Sequence, residues 1–419
     1  MIHVSLAVDP ERVLRDLDGL AARTGGSDGA RRLAWTPDWH VARSFLRDLL
    51  AELPVKVAED EAGNLWAELA GKRTDRAVAL GSHIDAVPRG GWLDGALGVF
   101  AALEVLRAAA SSGPPPVTLR LVDFADEEGA RFGASLLGSS LAAGDVAAAA
   151  VRDLRDADGI RLADALAAFG VDVAAAGAAR SRLEDLAGYV ELHIEQGPVL
   201  EDVGEQVGAV VGTVGLRRTA YTFTGQAAHA GTTPMDRRRD AFLCAARLAV
   251  AVRDVAVAER GMGTVGQVSV EPGFPTAVAQ RAVAVVDLRH ADAATLTRMQ
   301  AAVDGQVETI AREERCVASE TPIFAAAPSP FDPALVDLAA DACSAVAGSG
   351  RRLWAGALHD ATVLARHVPT AMVFAASRRG LSHCPEEDSD RDTLRLAIRA
   401  YARLVEGVVA RAAEADAKS

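Results

Sequence analysis

Four apolar runs in this chain each end in a knot of charge and glycine. RAVAL leads into GSHIDAVPRGGWLDGALG (Gly81 to Gly98), VTLRLV into DFADEEGARF, GYV into ELHIEQG, and TAMVFAAS into RRGLSHCPEED. Short apolar runs bounded this way read as buried strands, and strands alternating with helical stretches build a sheet covered by helices. In such α/β sheets, functional groups collect beyond the carboxyl ends of the strands.

Between the runs the texture is helical, with helices expected over residues 11–22, 40–53 and 95–110 and a hairpin in VAEDEAGNLWAEL. An alanine-rich stretch from Ser140 to Ala179 reads as helices and connections. From about Thr213 the order becomes strand, helix, strand, strand, helix, strand: TAYTFTGQAAH, residues 239–260, TVGQVSVEPG, AVAVVDLRHAD, residues 293–315 and VASETPIFAAA. That is a complete small α+β unit. After Pro328 the first texture returns, with helices at 333–346, 359–367 and 392–415. The economical reading is one domain, residues 1–212 and 328–419, interrupted by another, residues 213–327.

Composition narrows the function. A net charge of −13, with no basic stripe longer than RRRD at Arg237 to Asp240, argues against nucleic acid. The N-terminal stretch lacks a basic start followed by a long apolar core, and no window nears the roughly 18 apolar residues of a membrane span. Four cysteines without CxxC spacing fit a reducing compartment, so a cytoplasmic location is expected.

Chemistry concentrates at the strand ends. His83 closes one strand, Asp85 follows at same-face spacing, and Asp94 sits where a helix begins. Alone, His-x-Asp is an ordinary hydrogen-bonded pair and Asp94 an N-cap. Glu127 and Glu128 end a second strand, where one carboxylate can face a metal and the other handle protons; alone, they are a solvated acidic turn. His193, between Glu191 and Glu195, and His383, before Cys384, complete the group. Two or three histidines with one Asp and one Glu, and no thiolate set, suit one or two Zn²⁺ or Mn²⁺ ions with an open water position.

These segments, together with GQAAHAGTTPMDRRRDA, appear in the order and wording of a known family. The sequence resembles the M20 metallopeptidase-like amidohydrolases along nearly its whole length. The nearest branch is the carbamoylases, which include N-carbamoyl-L-amino-acid hydrolases, β-ureidopropionases and allantoate amidohydrolases. The resemblance implies a zinc-peptidase-like catalytic domain, a mixed sheet flanked by helices, with an inserted α+β βαββαβ lid and dimerisation domain. It implies two divalent ions per subunit (Zn²⁺ or Mn²⁺, with Co²⁺ as a substitute). Asp94 would bridge them, with His83 and His193 on one ion and Glu128 and His383 on the other. Glu127 is similar to the family's general acid/base, and Asp85 would orient His83 from behind.

The same resemblance implies a homodimer in which His229 reaches the neighbouring subunit's site to stabilise an oxyanion, and a ureido carboxylate substrate clamped by Arg289. Gln196 and His359 would help line the substrate site; His3, His40, His290 and His367 read as ordinary polar residues. Wider-family peptidases usually have Asp or Glu where this chain has His193, which favours the carbamoylases. Two departures leave substrate preference open. Relatives tend to have an Asn where TAVAQ begins with Thr276, and a Pro where Ala376 precedes Ser377, ahead of Arg378 and Arg379. The expected activity is hydrolysis of an N-carbamoyl amino acid to the amino acid, ammonia and CO2. The alternatives are allantoate hydrolysis, peptidase or aminoacylase activity, and an inactive binding homologue.

Overall fold

The computed structural model describes residues 5–26 and 28–414. His3, and Ala415 at the expected end of the closing helix, lie outside the described residues. The chain divides into two compact units, Met1–Gly212 together with Pro330–Ser419, and Thr213–Ser329.

Several helix starts of the first unit are written locally. In DPERV, TPDWH and DPALV, the side chains of Asp9, Thr36 and Asp332 accept N–H bonds from Glu11, Trp39 and Leu335, each with proline in the first turn. A capping oxygen satisfies an otherwise orphaned donor, and proline loses nothing where no intrahelical bond is made. These helices (Pro10–Thr24, Pro37–Leu50, Pro333–Ala347) join Ala96–Ser111 and Arg391–Glu414 in one apolar core on the sheet.

The sheet runs in the order Val207–Thr213, Thr370–Ala375, Leu186–Ile194, Arg73–His83, Val117–Phe124, Leu65–Leu69, Lys56–Glu59. The four strands from Thr370–Ala375 to Val117–Phe124 are mutually parallel. The flanking strands are antiparallel, so the sheet is mixed as expected. Parallel strands covered on both faces read as continuous apolar runs, and every residue of Val117–Phe124 except Arg120 is buried.

Two strands, Val207–Thr213 and Arg352–Ala355, fall outside the sequence reading. The first is short and glycine-bearing, and its place is fixed by pairing with Thr370–Ala375, more than 150 residues on. The expected helix at 359–367 is a single turn and a half, Asp360–Leu364.

The second unit is a four-stranded antiparallel sheet, ordered Met262–Glu271, Arg281–His290, Gly215–Thr224, Val317–Ala326. Helices Ala241–Ala258 and Ala293–Glu313 pack against it through one apolar cluster. Its element order is the expected βαββαβ. Among the described residues no single helix is long and apolar enough to cross a membrane.

Candidate metal centre

The four parallel strands end at one edge, where His83 is level with Phe124 and Ile194 with Ala375. The chain leaves that edge by tight turns. Asp126, Gln196 and His383 all have φ between +56° and +59°. A left-handed residue other than glycine costs about 1–2 kcal/mol, and such strain gathers where side chains must be aimed.

These turns bring the strand-end residues together. Asp94 divides its carboxylate: Oδ1 lies 3.0 Å from His193 Nε2 and 3.7 Å from His83 Nε2, while Oδ2 lies 3.4 Å from His383 Nε2. Glu128 Oε2 is 3.4 Å from the same His383 nitrogen. Two ligand sets therefore share Asp94: His83, Asp94 and His193, and Asp94, Glu128 and His383, each with its atoms within 4.8 Å of one another. Ligands about 2.1 Å from a tetrahedral ion stand about 3.4 Å apart, and the measured separations straddle that value.

The imidazoles are set to present the correct nitrogen. His83 Nδ1 meets the Asp85 carbonyl at 3.1 Å and His193 Nδ1 the Ile194 carbonyl at 2.9 Å. A carbonyl only accepts, so each Nδ1 carries a proton and Nε2 is the nitrogen turned to the centre. Gly95 sits between them at φ +63°, where a Cβ would stand 2.4 Å from His83 Cε1. Its N–H reaches His193 Nε2 at 3.2 Å.

Burial and mutual proximity shift the proton affinities of the groups at the centre. Burial, then the neighbouring carboxylates Asp360 and Glu128, push the Glu127 carboxyl well up. Burial and Asp94 raise Glu128 to about 8. Burial alone would lower His193, but its hydrogen bond to Asp94 carries it up to about 9, and the same carboxylate raises His383 to about 9. Burial drives His83 down to about 4. Asp94 stays well below the usual carboxylate range against its burial, through His193 and His383. Cations entering here displace protons from those groups.

Asp85 holds His83 Nδ1 through its main-chain carbonyl, and its side chain turns to other partners. Its carboxylate is 3.7 Å from His83 Nδ1 and instead accepts the N–H groups of Glu127 and Glu128, each at 3.2 Å. A buried carboxylate needs donors, and the turn after Phe124 supplies two. Asp85 thus fixes the Glu127–Glu128 backbone and touches His83 only through its carbonyl. Gln196 donates from Nε2 to Asp94 Oδ2 at 2.9 Å and to Ser382 Oγ at 3.1 Å, which buttresses the shared carboxylate. His359 is buried behind His193, ring centroids 4.4 Å apart. Glu195, next to His193, accepts from Val199 and Leu200 N–H instead of facing the centre.

Sequence reasoning missed Glu387. It is buried, and its two oxygens accept from Asp94 N–H at 3.1 Å, Ser382 Oγ at 2.8 Å and His383 N–H at 3.3 Å. It therefore ties the Asp94 turn to the His383 turn. Gly91 leaves the room, since a Cβ there would lie 2.0 Å from Glu387 Oε1. The only sequence signal was the run of three acidic residues in PEED, which a solvated turn explains equally well.

Arg378, in the first unit, pairs with Asp388 at 3.1 Å, whereas His229, Thr276 and Arg289 lie in the second unit. His229 is exposed on a two-residue strand opposite Ala277, and the Thr276 carbonyl accepts Ala230 N–H at 2.9 Å, so His229 and Thr276 are neighbours. Arg289 gives its Nε–H to Asp287 at 2.7 Å, a carboxylate shared with Arg218.

Residues 79–407 match the description "Peptidase family M20/M25/M40". An N-carbamoyl-L-amino acid amidohydrolase of Geobacillus stearothermophilus is 37% identical over 371 residues, 87% of this chain and 90% of that protein. An allantoate amidohydrolase of Escherichia coli is 33% identical over 403 residues, 94% and 96% of the two chains. The crystal structure of an amidase of the hydantoinase/carbamoylase family from Burkholderia multivorans superposes with a TM-score of 0.86 at 33% identity, covering 98% of this chain and 99% of that one. With the matched span covering most of its length and the ligand sets gathered at one sheet edge, this chain belongs to peptidase family M20/M25/M40.

Proposed function

We propose that this protein is a metal-dependent amidohydrolase that cleaves the linear C–N bond of N-carbamoyl-L-amino acids or N-carbamoyl-β-alanine. The products are the amino acid, ammonia and CO2. The observation that carries the reading is the pair of ligand sets sharing Asp94 with Glu127 beside them, Glu127 Oε2 lying 3.7 Å from His83 Nε2. The carbamoyl-amino-acid and carbamoylase activities of the relatives supply the substrate class.

The residues that would hold two divalent ions, zinc or manganese, are His83 and His193 for one and Glu128 and His383 for the other, with Asp94 common to both sets. When bound, such ions draw charge from the ureido carbonyl and bring water within reach of deprotonation at neutral pH. Glu127 takes the proton from the attacking water on Oε2 and delivers it to the departing nitrogen. Its burial keeps that carboxyl's affinity for a proton high enough for both tasks.

The second unit acts as the lid and the dimer contact, with Arg289 as the fork for the substrate carboxylate. Support for a homodimer comes from apolar side chains left exposed on that unit. Met262 and Val268 lie on an edge strand, and Phe242, Val250 and Val257 on the helix Ala241–Ala258. Such a face is a liability unless covered. His229 serves the partner's site. Mixed dimers of His229→Ala and Glu127→Gln subunits should then regain activity that neither parent has; verified heterodimers with none would remove His229 from the partner's chemistry.

Allantoate is the second reading, favoured by the Escherichia coli relative. The deciding experiment strips the metal, reloads Zn²⁺, Mn²⁺ or Co²⁺, and follows ammonia release from N-carbamoyl-β-alanine, N-carbamoyl-L-amino acids, allantoate and a dipeptide. Metal-dependent release from a carbamoyl amino acid is expected. Release from allantoate alone selects the second reading, and cleavage of the dipeptide alone overturns both.

A further inference from the structure

Arg32 is wholly buried. The other buried arginines are conventionally paired: Arg43 donates from Nε to Asp123 at 2.7 Å, and Arg107 is bonded to Asp16. Arg32 has no such carboxylate partner. Its Nε–H goes to the Ile84 carbonyl at 2.8 Å, and NH1 and NH2 have no hydrogen-bond partner among the described residues.

Its surroundings identify what it serves. The Arg32 carbonyl accepts Ala86 N–H at 3.0 Å, and two residues earlier Ala30 N–H reaches the Gly90 carbonyl at 2.8 Å. Residues 30–32 therefore lace the outer side of the Ile84–Gly90 loop, which begins right after His83 and leads to Asp94. Burial opposes the guanidinium charge, and the carboxylates that support it are Asp94, Glu387, Asp85 and Glu128. An uncompensated buried cation is strongly unfavourable, so its place is explained by the acidic groups of the centre, Asp94 foremost, and by the loop it holds.

We propose that Arg32 is a positioning residue of the metal centre: it pins the turn between His83 and Asp85 through Ile84 and Ala86, and its fixed charge offsets the mutual repulsion of the carboxylates. The proposal rests on the metal-centre reading above. Two effects of removing it oppose each other. Losing a positive charge favours a dication, whereas loosening the loop disperses the ligands. Pinning wins where ligands must hold to a few tenths of an ångström, and the loss of outer partners of metal ligands typically weakens binding about 10- to 100-fold.

The test is a zinc titration of metal-stripped protein against a chromogenic chelator, with the melting temperature measured alongside. Arg32→Met should bind zinc about 10- to 100-fold more weakly. Arg32→Lys, which keeps the charge but not the planar fork, should fall between it and the native chain. Unchanged zinc affinity in Arg32→Met, with only a lower melting temperature, would make Arg32 a packing residue and overturn the proposal. If Arg32→Met does not fold, Arg32→Lys decides alone: weaker zinc binding supports the role, and native affinity removes it. A native chain that binds no zinc would instead overturn the metal centre itself.

Discussion

Glu127→Gln should lower kcat by about a hundredfold to ten-thousandfold, the range attributed to one positioned acid/base, while metal content stays at the native level. The substitution is nearly isosteric and cannot carry the proton. The local backbone should hold, because Asp85 bonds the Glu127 main-chain N–H and not its side chain. Stability should be unchanged or slightly higher, since a carboxyl that burial and its acidic neighbours Asp360 and Glu128 disfavour as an anion becomes a neutral amide. Steady-state ammonia release, with metal analysis of the same sample, checks it. A variant retaining more than about a tenth of native turnover would take Glu127 out of proton transfer.

Asp94→Ala should be the more damaging change to the centre itself. It removes the carboxylate that both ligand sets share and strips His193, His383 and the Gln196 amide of their common partner. Both ions should be lost, whereas Glu128→Ala should cost mainly the one it shares with His383. The signature is thermodynamic: a ligand at a hundredfold excess over Kd stabilises a native state by about 2.7 kcal/mol. Added zinc should raise the melting temperature of the native chain and leave Asp94→Ala unmoved. Undiminished zinc stoichiometry in that variant would end the bridging assignment.

How much of this could be read in the chain depends on whether the signal was local. Apolar runs ending in charge announced the parallel strands because that signal is set within a few residues, whereas the Thr36–Pro37 start of the second helix was read three residues late. Val207–Thr213 was missed because its partner strand comes far later in the chain. His83, Asp94, Glu128, His193 and His383 were legible as a group and do converge. Glu387 and Arg32 were not legible, because an acidic run and an RR pair look like solvated surface until the fold seals them. Asp85 was found beside His83, but its carboxylate's bonds to the Glu127 and Glu128 N–H groups were not legible, since which donors lie above a strand end depends on the neighbouring strand.

The parallel register has a consequence for how the protein is made. Thr370–Ala375 lies between Leu186–Ile194 and Val207–Thr213, so a strand from the last eighth of the chain joins one flank of the sheet to its centre. A chain still emerging from the ribosome at residue 330 already carries His83, Asp94, Glu128 and His193, yet lacks both the strand that closes the sheet and His383. During synthesis the long-range closure that is slow in all such topologies is deferred to the end. The candidate ligand set that includes His383 is therefore complete only once folding is, and a truncated product is left with an unpaired inner strand for quality control to recognise.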